Sequence, residues 1–132
     1  MIFRPFRTSE HYKTIAGWWR AERFPAPVGI KYLPEVGMGV FDGSGRLLAC
    51  GFLYMNGTEV SQLEWITASR ALRHEERTKV LTKLIRGIKD TAQNSGCSRI
   101  FMSTRHGSLI TRLEQEGFKV AESDMTNLYC AI

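Results

Sequence analysis

The segment from Val60 to Ile88 constrains the fold most, because a basic turn joins a strand-like run to a long amphipathic helix. β-Branched and aromatic residues fill Val60–Thr67 without an intervening glycine or proline, so this part is predicted to be a strand. Beyond the turn, apolar residues recur at helical spacing, namely at Val80, Leu81, Leu84, Ile85 and Ile88. The succession of strand and helix patterns predicts a mixed α/β fold.

Arginine is concentrated in the turn, at Arg70, Arg73 and Arg77. The first turn of a helix carries N–H groups without intrahelical partners, and the helix dipole adds a partial positive charge there. Together with the arginines, these groups predict an anion-binding site at the start of the helix.

Length and composition predict one domain over residues 1–132, with enough apolar residues for a core. The net charge of +5 favours an anionic partner, which could be a phosphorylated cofactor, a nucleic acid or an acidic protein. The longest apolar run, Leu47–Met55, is too short to cross a bilayer, and the N-terminus lacks a signal segment, so we expect a cytoplasmic protein without membrane contact.

Three cysteines, Cys50, Cys97 and Cys130, lack the spacing of a metal site or a disulfide framework, so we expect free thiols and no metal. Cys50 and Cys130 lie in apolar, strand-like surroundings and are predicted to be buried.

Periodicity and turn residues predict the element order β-α-β-β-β-α-β-α-β-β. Asn56-Gly57 indicates a two-residue hairpin turn, and Gly96 is predicted to end the long helix in a left-handed conformation. The segment 24–34, which contains three prolines, is predicted to be an ordered loop or a short helical turn. The predicted strands cover residues 2–6, 37–41, 46–55, 60–67, 99–103, 119–123 and 127–132.

This order, over essentially the whole chain, resembles that of the GNAT (GCN5-related) acyl-CoA N-acyltransferase family. Arg73-x-x-Glu76-x-Thr78-x-x-Leu81 resembles the family's Arg/Gln-x-x-Gly-x-Gly/Ala-x-x-Leu pyrophosphate loop, with both glycine positions filled. Leu113-Glu-Gln-Glu-Gly-Phe118 resembles its recurrent Tyr-Glu-Lys-x-Gly-Phe. The short chain and its Leu-Glu-Trp strand also resemble compact phage-type members. The resemblance implies a mixed, mostly antiparallel sheet of six to seven strands with three to four helices.

The resemblance further implies acetyl-CoA as a co-substrate, whose pantetheine arm bonds the backbone of a fourth strand that splays from the fifth. The residues implied in cofactor binding are Ile66, Thr67, Ala68, Arg73, Glu76, Arg77, Thr78 and Lys79. Glycine lets a backbone approach a phosphate closely, so Glu76 and Thr78 are departures from the family pattern. The Thr78 hydroxyl can donate to a phosphate, whereas the Glu76 carboxylate disfavours an anion unless Arg73 or Arg77 neutralises it.

Glu64 lies inside the predicted central strand, where a carboxylate is unfavourable unless it is paired or faces a cleft. It is therefore the candidate general base, acting through water, and the alternative is a solvent-facing residue paired with a nearby Lys or Arg. The family's acid tyrosine aligns with Leu113, which cannot donate a proton. Candidates in its place are Ser108, His106 and Tyr129.

Trp18, Phe24 and Tyr32 are predicted to line the groove for the acceptor. Trp18 and Trp19 are adjacent on one helix and cannot both face the core. Trp19 follows the apolar stripe, so it is assigned to the core.

The first functional hypothesis is an acetyl-CoA-dependent N-acyltransferase in which a primary amine attacks the thioester directly. The filled glycine positions and the missing tyrosine favour a second, a catalytically silent GNAT-fold binding or structural protein, for instance in a virion. The third is a nucleic-acid-binding module, which is disfavoured because no recognised motif is present. The acceptor amine and the oligomeric state stay open, and the edge of the last strand could pair across a homodimer interface.

Overall fold

The structure is a computed structural model that describes residues 1–24 and 28–132. Residues 25–27 of the predicted proline-rich loop lie outside the described residues, and the rest of that loop contains a short 3-10 helix, Ile30–Tyr32. The other elements are β1 (Ile2–Arg7), α1 (Thr8–Ala21), β2 (Val36–Phe41), β3 (Leu47–Met55), β4 (Val60–Ala68), α2 (His74–Asn94), β5 (Arg99–Phe101) and α3 (Gly107–Gln115).

The strands form one sheet in the order β1-β2-β3-β4-β5. β1 to β4 pair as an antiparallel meander, and β5 lies parallel to β4. β1 is an edge strand, as predicted from Pro5, which has no N–H to donate to a second neighbour. Gly96 follows α2 with φ +91°, so the predicted left-handed end of this helix is confirmed.

A buried cluster covers each face of the sheet. Successive β3 residues belong to different clusters, with Leu53 packed on α2 and Phe52 packed on α1, because neighbouring side chains in a strand point to opposite faces. Trp19 is fully buried in the α1 cluster, while Trp18 is half-buried against it. The predicted apolar stripe of α2 is buried throughout. No described helix is both long and apolar enough to span a membrane.

The hairpin between β3 and β4 differs from the predicted two-residue turn. Residues 56–59 separate the strands, and Met55 pairs with Ser61 at the closed end. The side-chain oxygen of Asn56 accepts hydrogen bonds from the amide and the hydroxyl of Thr58, at 3.0 and 2.6 Å. These bonds form a local turn that satisfies the polar groups of the loop, and the loop is therefore longer than two residues.

The two final strands, and with them the sheet of six to seven strands, are not found: the described residues form five strands, and 119–132 form none. Cys130, predicted to be buried, is exposed. An isolated strand satisfies none of its own backbone hydrogen bonds, so it needs a sheet edge beside it, and β5 is only three residues long. Large apolar side chains are therefore exposed at Val120, Met125, Leu128, Tyr129 and Ile132.

Candidate functional site

β4 separates from β5 after three residue pairs, the last of which joins Gln62 to Phe101. Pairing with β3 continues on the other side of β4 as far as Ala68. Within the described residues, the β5-facing backbone edge of residues 63–68 is therefore outside the sheet pairing. Ile66, Thr67 and Ala68 are buried as whole residues. The V-shaped opening is the splay that the family resemblance implies.

A β-bulge in this half of β4 places two consecutive side chains on the same face. The register with β3 shifts between the Cys50–Thr67 and Phe52–Glu64 pairs, and Trp65 has φ +63°. Glu64 lies opposite Phe52, on the α1 face, and Trp65 packs against the same α1 cluster. In a regular strand these two neighbours would point to opposite faces.

Hydrogen bonds hold Trp65 in its left-handed conformation, which costs a bulky residue roughly 1–3 kcal/mol. The indole Nε1 of Trp19 donates to the carbonyl oxygen of Trp65 at 3.4 Å. The indole Nε1 of Trp65 donates to the Tyr54 hydroxyl at 3.2 Å, and that hydroxyl donates to the carbonyl of Tyr32 at 3.0 Å. Hydrogen bonds therefore hold both the backbone carbonyl and the indole ring of Trp65 in place.

Glu64 is half-buried, and desolvation raises the pKa of its carboxyl group above the usual value. No Lys, Arg or His of the described residues lies within salt-bridge distance of it, so the alternative of a surface ion pair finds no support. Burial and, in smaller part, the charge of Glu64 raise the pKa of the Tyr54 hydroxyl, which lies on the same side of the sheet. A carboxylate with a raised pKa is better suited to accept a proton from an amine.

Aromatic rings surround Trp65 on the α1 face. Phe24 stacks on Trp19 with 6.3 Å between ring centroids, and its centroid lies 6.3 Å from the ring of Trp65. His106, just before α3, stacks on Phe24 at 6.5 Å. Phe24 and His106 thus bring the loop after α1 and the segment after β5 together beside Trp65.

The other predicted substrate and acid residues are more dispersed. Tyr32 has 65% of its side chain exposed and joins the cluster through its carbonyl group only. Trp18 packs against the α1 cluster. Ser108 is exposed in the first turn of α3, two residues after His106. Tyr129 is 95% exposed, so the structure does not bring it to the opening.

The basic turn ends at Arg73, the residue that precedes α2. The Glu76 carboxylate accepts hydrogen bonds from the backbone amide and the Nε of Arg73, at 3.3 and 2.9 Å. These bonds lower the pKa of Glu76 and supply the neutralisation that this carboxylate needs. The amide of Arg77 already donates to the Arg73 carbonyl at 2.8 Å, so the amides of residues 74–76 are the ones without intrahelical partners.

Arg70 and Arg77 also bond to protein groups, both at the end of α1. Arg70 Nη1 donates to the carbonyl of Ala21 at 3.1 Å. Glu22 Oε1 accepts from Arg77 Nη2 at 3.3 Å and from the Thr67 hydroxyl at 2.9 Å. Sequence reasoning missed Glu22, because its partners lie 45 and 55 positions away and no local pattern marks it.

A further guanidinium group, that of Arg112 on α3, reaches the start of α2. Its Nη2 donates to the Thr78 hydroxyl at 3.1 Å, and this hydroxyl donates to the His74 carbonyl at 3.1 Å. Burial and the charge of Arg77 lower the pKa of Arg112, so the two cations lie near each other. Arg112 has no salt bridge within the part of the chain that the structure describes. The motif comparison missed it because the family pattern does not include this position.

Thr78 and Lys79 also border a groove of about 570 Å³ between one side of α2 and β1. Phe3 of β1 forms its apolar wall, and Lys83 and Asp90 lie farther along the helix. The side chain of Lys79 therefore faces a surface that runs away from the V-shaped opening. No group of three or more His, Cys, Asp and Glu side chains suited to a metal ion occurs among the described residues.

Among the comparisons with known proteins, only the comparison of structures finds matches, and these support the fold. No family model matches the sequence, and no curated protein matches it. A probable acetyltransferase superposes with a TM-score of 0.75 and 18% identity over 100% of this chain and 98% of that one. Glucosamine-6-phosphate N-acetyltransferase from Arabidopsis thaliana gives 0.66 and 11% over 98% and 100% of the two chains. An acetyltransferase from Trypanosoma brucei gives 0.66 and 16% over 97% and 99%.

Proposed function

Because the chain has the acyl-CoA N-acyltransferase fold of the GNAT-type acetyltransferases, we propose that it transfers an acetyl group from acetyl-CoA to a primary amine. The observation that carries this proposal is the opening between β4 and β5, with Glu64 on one face and the start of α2 at its far end. Fold alone does not determine activity, so the argument rests on these groups.

In the proposed reaction, the pantetheine arm of acetyl-CoA bonds the backbone of residues 66–68 and the thioester carbonyl lies in the opening. The neutral amine attacks the carbonyl carbon, forming a C–N bond as the C–S bond breaks. Glu64 accepts the proton lost from the nitrogen through a water molecule, and the coenzyme A thiolate leaves and takes a proton from solvent. Most of the rate enhancement comes from holding the two reactants together.

The pyrophosphate is proposed to bind the backbone amides of residues 74–76, with Arg112 as an additional cation beside the predicted Arg73 and Arg77. Arg73 is paired with Glu76, and Arg77 is paired with Glu22. An incoming anion must compete with both carboxylates. We therefore expect weaker binding of acetyl-CoA than a turn with unpaired arginines would give.

Isothermal titration of acetyl-CoA into the wild type and Arg73→Ala/Arg77→Ala tests the proposal. Lys13→Ala/Lys119→Ala is the matched control, because it removes the same charge from two exposed positions outside the turn. Binding to the wild type and the control that the turn variant lacks would support a pyrophosphate site. Unchanged thermal unfolding of the turn variant must accompany this result. Absence of heat even at millimolar cofactor would overturn the proposal.

The second candidate is the catalytically silent GNAT-fold binding protein. The observation that favours it is that each arginine of the turn already bonds to a protein group. In that case acetyl-CoA would produce neither heat nor thermal stabilisation. The homodimer contact through the last strand stays a prediction, since residues 127–132 form no strand. A cytoplasmic location likewise stays a prediction.

A further inference from the structure

The bulge at Trp65 creates a surface with two unlike components. Because Trp65 has φ +63° and packs on the α1 cluster, its ring lies on the same face as the neighbouring Glu64 carboxylate. Tyr54 donates and accepts hydrogen bonds behind Trp65, so the ring is held in place. A negative group thus sits directly beside a fixed aromatic ring.

Two further rings extend this surface. Phe24 lies 6.3 Å from Trp65, and His106 lies 6.5 Å from Phe24, with the planes of the latter pair inclined by 23°. Phe24 and Trp65 are half-buried, and His106 is exposed. They come from the loop after α1, from β4 and from the segment before α3, so together they line the α1 side of the opening between β4 and β5.

The charge of this surface comes from one carboxylate. Glu64 has no ion pair within the described residues, whereas the nearby Glu22 is already paired with Arg77. A half-buried carboxylate without a partner is stabilised by an incoming cation, and the faces of aromatic rings also attract ammonium groups. The charge of a single carboxylate balances that of a single ammonium group, so this surface favours a monoamine.

We propose that the acceptor is a small monoamine whose ammonium group is carried on an aromatic or comparably flat apolar group. Its ammonium group lies at Glu64 and releases one proton to solvent, so that the neutral amine attacks and the ionised Glu64 accepts the second proton. The apolar part of the amine lies against the rings of Phe24, Trp65 and His106. This inference rests on the proposed acetyl transfer and names the class of its acceptor.

The same surface disfavours two other classes of amine. A phosphorylated amino sugar would bring an anion close to the Glu64 carboxylate, which repels it, and would offer no flat apolar group to the rings of Phe24 and Trp65. A polyamine would need further carboxylates for its remaining ammonium groups, and among the described residues the ring cluster contains none besides Glu64. Aliphatic monoamines retain the ion pair but lose the contacts with the aromatic faces.

The test compares acceptors by the release of coenzyme A from acetyl-CoA. The amines are 2-phenylethylamine, n-butylamine, spermidine and glucosamine 6-phosphate. We expect kcat/KM for 2-phenylethylamine to exceed that for n-butylamine by about tenfold, the upper range expected for contacts between aromatic rings. Equal or higher values for n-butylamine, spermidine or the amino sugar phosphate would overturn the inference.

Variants of Phe24 locate the effect in the ring cluster. Phe24→Ala should lower kcat/KM for 2-phenylethylamine about tenfold, because it removes a contact between aromatic rings, and should leave KM for acetyl-CoA unchanged. Phe24→Leu keeps apolar bulk without a ring and should fall in between, which separates recognition from misfolding. Ile30→Ala is the control, because Ile30 is 45% exposed in the same loop. Equal losses for every amine in Phe24→Leu would contradict recognition by the ring.

Titration of 2-phenylethylamine without cofactor, followed by tryptophan fluorescence, separates this inference from the proposed function. Saturable binding that Phe24→Ala weakens supports the amine site whether or not acetyl-CoA binds. Normal binding of acetyl-CoA with no binding of the aromatic amine overturns the acceptor class alone. Absence of both overturns the two proposals together.

Discussion

Glu22 and Arg77 form an ion pair, with 3.3 Å between Oε1 and Nη2, that joins the end of α1 to the first turns of α2. The Thr67 hydroxyl donates to the same carboxylate oxygen, so the last residues of β4 take part as well. The acceptor side and the proposed cofactor side of the site are thereby connected through one carboxylate. Its removal should affect both stability and anion affinity.

Glu22→Gln should lower the free energy of unfolding by about 1–2 kcal/mol, because it leaves a partly buried guanidinium without its charged partner. The same change should tighten acetyl-CoA binding, since Arg77 no longer interacts with a competing carboxylate. Urea denaturation and isothermal titration measure the two effects. Glu114→Gln, at an exposed position of α3, is the control. Weaker acetyl-CoA binding by a folded Glu22→Gln protein would contradict the competition.

Trp65 should reverse the usual preference for alanine over glycine in a strand. At φ +63° a Cβ atom is strained, so Trp65→Gly should be more stable than Trp65→Ala by about 1 kcal/mol, although both lose the ring contacts. Gln62, exposed on the same strand without a positive φ, should show the opposite order. Thermal or chemical unfolding of the four variants checks this. The same order at both positions would argue against the left-handed conformation.

Two helical glycines should respond oppositely to alanine. A Cβ atom at Gly87 would overlap the ring atoms of Phe3, so Gly87→Ala should destabilise the protein by about 1–3 kcal/mol despite the better helix propensity. At Gly17 of α1, the nearest atom is Arg20 Nη2 at 4.0 Å. Gly17→Ala should therefore stabilise by up to about 1 kcal/mol. Urea midpoints would decide, and a stabilised Gly87→Ala would contradict the packing of α2 on Phe3.

Glu64 should make stability depend on pH in a defined direction. Its pKa is raised above 4.5, so the folded protein holds this proton more tightly, and stability falls as the pH rises through the folded pKa. Glu64→Gln removes this penalty and should gain stability relative to the wild type as the pH rises from about 4.5 through the folded pKa. The acetylation rate, if Glu64 is the base, should rise over an interval centred above 4.5.

Glu76 should make stability depend on pH in the opposite direction to Glu64, so it serves as the control. Its pKa is lowered by Arg73, so its contribution to stability is present above the unfolded-state pKa and is lost as the pH falls through the folded value. Glu76→Gln should therefore be less stable than the wild type near pH 7, and the difference should shrink in acid. Unfolding measured for both variants across the pH range tests the pair, and parallel pH trends would refute the assignment.

Much of the fold could be predicted from local patterns. The meander, the long helix and the family fold are confirmed, because burial on one side of an element imposes a period that the sequence displays. The half-buried, unpaired state of Glu64 agrees with a carboxylate inside an apolar strand. The narrower resemblance to phage-type members stays a prediction.

The parts of the site that the sequence did not predict depend on contacts between distant positions. Glu22 and Arg112 look like ordinary polar helix residues, and only packing brings them to the start of α2. The left-handed conformation of Trp65 carries no local signature, since tryptophan is not a turn residue. The prediction of the two final strands was wrong although their local pattern is present, because the described sheet provides no strand that pairs with them.

The sequence by itself determined the order of strands and helices from β1 to α3, the apolar stripe of α2 and the concentration of cations before it, because each of these follows from side chains close together in the chain. Only the tertiary structure decided that β4 parts from β5 after Gln62, that Glu64 and Trp65 share a face, and that Arg70 and Arg77 already have partners at the end of α1. These features arise from sheet register and from packing across 45 or more positions, and no local pattern encodes that information.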